Sequence, residues 1–117
     1  VTGPRAEVHL PLDRTLVVGL GVHGRAVARA LAARGSTVTA TDDRLGAEGP
    51  ASAADLGATW VDPPEGWADL VGRHDAVVPS PGIPERHPLF AAARATGVPI
   101  RSELDLAAVW DHRPVAT

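Results

Sequence analysis

The chain has no cysteine, which excludes disulfides, thiolate nucleophiles and zinc–sulfur sites. It also has no lysine, so a Schiff base, a carbamylated lysine or a phosphate-loop lysine cannot form. Asparagine, glutamine, methionine and tyrosine are missing too, and all 11 basic residues are arginine. Abundant alanine and arginine point to the codon bias of a GC-rich genome. No apolar run approaches the roughly 18 residues that a membrane span needs, so no membrane partner is expected. No charged-then-apolar leader opens the chain, which starts at Val1 and reads as processed or cut from something longer. A formal charge of −3 gives no concentrated basic face, and nucleic acid is not an expected partner. A reducing cytoplasm fits the absence of cysteine. The 117 residues allow one domain, large enough to bury a core without covalent staples.

What is present alternates strand and helix. Residues 16–18 form a short apolar run that suits a buried parallel strand. A helix is expected over 25–34, with Val27 and Leu31 on one face and Arg25 and Arg29 on another, closed by Gly35. Residues 37–41 read as a second strand, 46–50 as a turn, 51–56 as a short helix closed by Gly57, and 59–61 as a third strand. A helical turn over 66–71 and a strand over 75–79 lead into a proline-stiffened turn at 80–84. Pro88 can open a helix that Gly97 ends, and residues 98–101 suggest a fifth strand. Ser102 then caps a helix running to Trp110, and 114–117 begin a further strand. The expected fold is α/β: a Rossmann-like parallel sheet of about five strands with helices on both faces. Residues 1–14 read as an N-terminal extension and 15–117 as the domain.

Three constellations carry chemistry. In the first, Gly19, Gly21 and Gly24 lie between a strand and a helix. Gly19 permits the tight turn, Gly21 lets phosphates approach the backbone, and Gly24 lets the helix pack closely. The positive end of the helix then favours an anion. In the second, Asp42 lies 18 residues beyond Gly24, near the spacing of an acidic ribose reader. It can accept from ribose hydroxyls or from a base N–H, and Arg44 can stack on a base or pair with a phosphate. Asp43 reads as a solvated neighbour. In the third, prolines flank Ser80 and Gly82 follows, so a stiff loop offers a hydroxyl and an unobstructed N–H at the same sheet edge. His9, His23, His74, His87 and His112 form no metal pattern, and most read as solvent-facing; His23 sits inside the glycine turn. Trp60, Trp67 and Trp110 read as packing residues.

Taken together, residues 17–44 and 77–107 resemble the N-terminal domain of the Mur ligases, most closely the D-glutamate-adding branch. The features that carry it are the glycine turn, D-x-R after the second strand, SPGIP, the following H-P, and S-E-L-D-L-A. The resemblance covers residues 15 to 117. It implies a Rossmann-like domain that binds the UDP part of UDP-N-acetylmuramoyl-L-alanine in a cytoplasmic enzyme of peptidoglycan synthesis. The backbone at Val22 and His23 would meet the diphosphate. Asp42 and Arg44 would meet the uracil, and Ser80 and Gly82 would line the other side.

In the family a second domain binds ATP, and ATP and Mg2+ are expected in the full-length ligase, with no cofactor in this domain. His23 stands where the family often has serine or threonine, and a protonated imidazole would replace the lost hydroxyl contact. The lysines that grip phosphate and bind metal in later domains are absent, so the fragment is expected to bind and not to catalyse, with the rest of its parent chain as partner. The glycines and Asp42 equally fit two alternatives: an NAD(P)-binding domain of an oxidoreductase, or a nucleotide-sensing regulatory module.

Overall fold

The computed structural model describes residues 14–102 and Asp105. Four parallel strands form one sheet: β1 (Arg14–Val18), β2 (Thr37–Thr41), β3 (Thr59–Trp60) and β4 (Ala76–Pro79), in the order β3-β2-β1-β4. Four α-helices connect or flank them: α1 (Val22–Ala33), α2 (Gly49–Asp55), α3 (Trp67–Gly72) and α4 (Pro88–Thr96). A single turn of 3-10 helix, Gly46–Glu48, runs into α2. The sheet has one strand fewer than expected. Residues 98–101 do reach its edge, but pair only through a bridge between Ile100 and Val77. Two backbone hydrogen bonds support that bridge, Val77 N–H to Pro99 O and Arg101 N–H to Val77 O. Pro99 has no N–H to donate, which limits the pairing a longer strand would need.

Alternation along the strands divides the core. Val17, Val38, Ala40 and Val78 face α1 and α2, where they meet Val27, Leu31, Ala53 and Leu56. Leu16, Val18 and Val77 face α3 and α4, meeting Trp67, Leu70, Val71, Leu89 and Ala93. Helices therefore cover both faces, as a parallel sheet requires. The expected α1 faces are present: Val27 and Leu31 are buried, whereas Arg25 and Arg29 reach Asp55 of α2 at 3.7 and 3.8 Å. Gly35 and Gly97, at φ +94° and +77°, close α1 and α4 in the left-handed conformation.

The element boundaries moved for identifiable reasons. α1 begins at Val22, a turn earlier than the glycines indicated, because Gly24 is helical and lies against β1. α2 starts at Gly49 instead of 51, and Pro50 sits in its first turn where no hydrogen bond is lost. Gly49 leaves room for Trp60, whose ring would lie 2.2 Å from a Cβ there, so Trp60 packs as expected. Trp67 is also buried. Ser102 accepts from Asp105 N–H at 3.0 Å while Asp105 accepts from Ser102 N–H at 2.7 Å, a reciprocal cap of the kind the sequence indicated. These capping bonds hold the Asp105 carboxyl below its ordinary range. The rest of that helix, Trp110, His9, His112, residues 1–13 and the strand over 114–117 lie outside the described residues.

This topology positions the site. From β1 the chain moves one way, through β2 to β3, and β4 then returns to the opposite flank of β1. The loops leaving β1 and β4 consequently diverge to opposite faces, one into α1 and the other toward α4. A crevice outside the carboxyl ends of adjacent strands is the geometric result.

Candidate functional site

A cleft of about 420 Å³ lies at that reversal point, within the size range of small-molecule sites. All three sequence constellations meet there. Gly19, Gly21, Val22 and His23 form one wall, Asp42 and Arg44 the end, and Ser80 and Gly82 the opposite wall. Gly24 does not line the cleft. A Cβ there would lie 1.8 Å from Gly19 O, so its place is between the helix and the strand it crosses.

The glycines divide by what forbids a side chain. Gly19 adopts φ +97°, and a Cβ would also press on Ser80 Oγ at 2.7 Å. The fold itself demands glycine at 19 and 24. Gly21 and Gly82 differ: neither has a positive φ, and nothing stands within 4 Å of a Cβ built on either. Both border open cleft, and Gly21 is in addition the N-cap of α1. Beside Gly21, α1 opens with no side-chain cap and no acidic residue in its first turn. Such an end presents N–H groups without intrahelical partners and a positive partial charge. Val22 projects next to it, 83% exposed although apolar.

Asp42 is only 4% exposed, and backbone amides occupy both its oxygens. Oδ2 accepts from Leu20 N–H at 2.7 Å and Oδ1 from Arg44 N–H at 2.8 Å. The carboxylate thus ties the glycine turn to the end of β2. Each oxygen keeps a second lone pair, and Asp42 still borders the cleft, with the Arg44 guanidinium 3.6 Å away and mostly in solvent. Ser80 donates to Gly19 O at 3.2 Å, linking the two walls at the floor. Ser80 N–H also continues the sheet by donating to Val18 O.

Two residues that the sequence left among the solvent-facing ones belong to this site. Asp43 lines the cleft and accepts a hydrogen bond from His87 Nε2 at 2.9 Å. His87 is largely buried, caps α4 by accepting from Leu89 N–H, and lies edge-on to Trp67 with ring centroids 4.8 Å apart. The available signal was the position immediately before Pro88, where a helix N-cap belongs. Histidine is an uncommon cap, and Asp43 lies 44 residues away. His74 is also only partly exposed; its Nδ1 meets Leu70 O at 2.8 Å, and burial lowers its pKa below the ordinary histidine value. Among the described residues no group of three or more His, Cys, Asp or Glu side chains could hold a metal ion. Nor is any described helix long and apolar enough to cross a membrane.

Parallel strands, helices on both faces and a cleft at the strand-order reversal define a Rossmann-like α/β domain. Solved structures share that fold: saccharopine dehydrogenase from Saccharomyces cerevisiae matches with a TM-score of 0.65 at 21% identity, over 77% of this chain and 21% of its own. The sequence narrows the class further. Residues 13–102 match the family described as Mur ligase MurD-like, N-terminal domain. The UDP-N-acetylmuramoylalanine–D-glutamate ligase of Desulfosudis oleivorans is 40% identical over 114 residues, covering 88% of this chain and 23% of the ligase. Its counterpart in Mycolicibacterium vanbaalenii is 41% identical over 97 residues, 83% of this chain and 20% of that protein. The chain belongs to the MurD-like N-terminal domain family of the Mur ligases. It spans less than a quarter of the length of these curated relatives.

Proposed function

We propose that the cleft binds the UDP portion of UDP-N-acetylmuramoyl-L-alanine, and that the chain is the substrate-holding domain of an ATP-dependent D-glutamate-adding ligase. The observation that carries the reading is the pair of glycines, Gly21 and Gly82, which both line the cleft and leave it open, with nothing within 4 Å of a Cβ built on either. A diphosphate at the opening of α1 would meet the backbone of Val22 and His23 and the favourable end of the helix dipole. Asp42 accepts from uracil N3–H with its remaining lone pairs, and Arg44 covers the base or a phosphate oxygen. Ser80 and Gly82 close the other side. Gly19 and Gly24 act at one remove, by shaping the turn and letting α1 approach it.

No step of ligation is assigned to these residues. The chain has no lysine to grip a nucleotide phosphate. In this proposal residues 15–117 serve as a binding unit, inactive alone, which works in the cytoplasm with the remaining domains of its parent ligase.

A nicotinamide reading asks Asp42 to accept from a ribose hydroxyl and a uridine reading from a base N–H, and the lone pairs left on its two oxygens serve either. Calorimetric titration with UDP-N-acetylmuramoyl-L-alanine, UDP and NADH separates the readings. Binding of both uridine ligands without NADH is expected. Binding of NADH with indifference to both uridine ligands would overturn the proposal.

A further inference from the structure

The hydrogen bond between His87 and Asp43 spans the cleft at its rim. Asp43 follows Asp42 directly, on the segment that carries the base-facing residues. His87 ends the proline-stiffened loop of the other wall, where its N–H donates to Pro84 O at 2.9 Å. The imidazole has no freedom left. Nδ1 accepts from Leu89 N–H at 3.1 Å and so carries no proton, which leaves the proton on Nε2, the atom that donates to Asp43. The Trp67 edge contact fixes the ring plane. One buried ring thus ties the opening of α4 and the side of α3 to the loop after β2.

We infer that His87 and Asp43 form a clasp that sets the spacing between the Ser80–Gly82 wall and the end of the cleft that carries Asp42 and Arg44, so that both are positioning residues for the nucleotide. The clasp rests on the reading of this cleft as the UDP site. Without it, Asp43 is a half-exposed loop residue with nothing to hold it, and the segment carrying Asp42 and Arg44 loses its tie to the opposite wall. The bond is that of a neutral imidazole donor to an acceptor oxygen. Asparagine at 43 can therefore replace the carboxylate, whereas alanine cannot.

The test is UDP titration of the wild type, Asp43→Ala, Asp43→Asn, His87→Asn and the Asp43→Ala/His87→Asn double variant, with thermal unfolding of each. Asparagine at 87 keeps an oxygen for the Leu89 N–H but is too short to reach residue 43, so it opens the clasp while leaving the cap. Asp43→Ala and His87→Asn should each weaken UDP about fivefold, and the double variant no further, because either change removes the same bond. Asp43→Asn should bind within about twofold of wild type, and Asp43→Ala should unfold at the wild-type temperature. Unchanged affinity in Asp43→Ala, losses that multiply in the double variant, or Asp43→Asn as weak as Asp43→Ala would each overturn the clasp alone. A wild-type chain that does not bind UDP would overturn the ligand reading, and the positioning role with it.

Discussion

The two walls of the cleft are made in opposite ways. The turn from β1 into α1 is glycine, with backbone exposed and no side-chain cap on the helix it opens. The loop from β4 to α4 is proline and ring, with His87 capping its helix and reaching across to Asp43. Both leave the same edge of the sheet from neighbouring strands. Bare N–H groups can bind an anion only where side chains stay away, and a wall can keep its distance only where side chains hold it. On the proposed UDP reading, recognition and rigidity are separated between two loops, and the glycine wall takes its order from its neighbours, through Asp42 to Leu20 N–H and Ser80 to Gly19 O.

Substitutions within the glycine wall break this comparison most sharply. Gly24→Ala should cost about 3 kcal/mol or more in urea unfolding, because its Cβ would collide with Gly19 O and push α1 from the sheet. Gly21→Val places its side chain in open cleft, so stability should change by less than about 1 kcal/mol. On the UDP reading, affinity for UDP should nonetheless fall roughly tenfold or more in calorimetry, since the branched side chain takes the space proposed for the phosphates. Equal stability losses at the two positions would erase the distinction between structural and ligand-facing glycines.

Two histidines sharpen the same division. His23 lines the glycine wall, so on the UDP reading His23→Ala should weaken UDP about threefold in calorimetry. Unchanged affinity in the variant would remove the His23 side chain from the site. His74 precedes β4 at the far end of the sheet, and burial lowers its pKa from 6.5. Its neutral form is favoured in the folded chain, so the unfolded chain binds more protons in the window just below 6.5. That contribution is complete above 6.5 and is lost as pH falls through the folded value. The melting temperature should drop slightly more on acidification in wild type than in His74→Gln, with UDP affinity indifferent to the change. This is the smallest effect of the four.

Much of the architecture was readable because it is local. Residues 37–41 are β-branched at every position but Ala40 and form a strand with those bounds, and Gly35, Gly57 and Gly97 each adopt the positive φ expected after a helix. The start of α1 was misplaced because glycine disfavours helix interiors, while here close packing on β1 requires it at 24. The fifth strand shrank to a bridge at Ile100. Asp43 and His87 were unreadable for a plainer reason: a solvated carboxylate and a buried acceptor look the same until a residue 44 positions away is brought beside them.

By itself the sequence determined the alternation of parallel strands and helices, the glycine turn with its acidic companion at the next strand end, and the family. Those depend on periodicity, backbone freedom and short-range spacing, which neighbouring residues dictate. Tertiary structure alone decided that β4 returns beside β1, that three separate segments therefore enclose one cleft, and that Asp42 spends two of its lone pairs on the backbone. It also decided which glycines serve the fold and which face open space. Such properties depend on distances between residues remote in the chain, and only the packed sheet sets those distances.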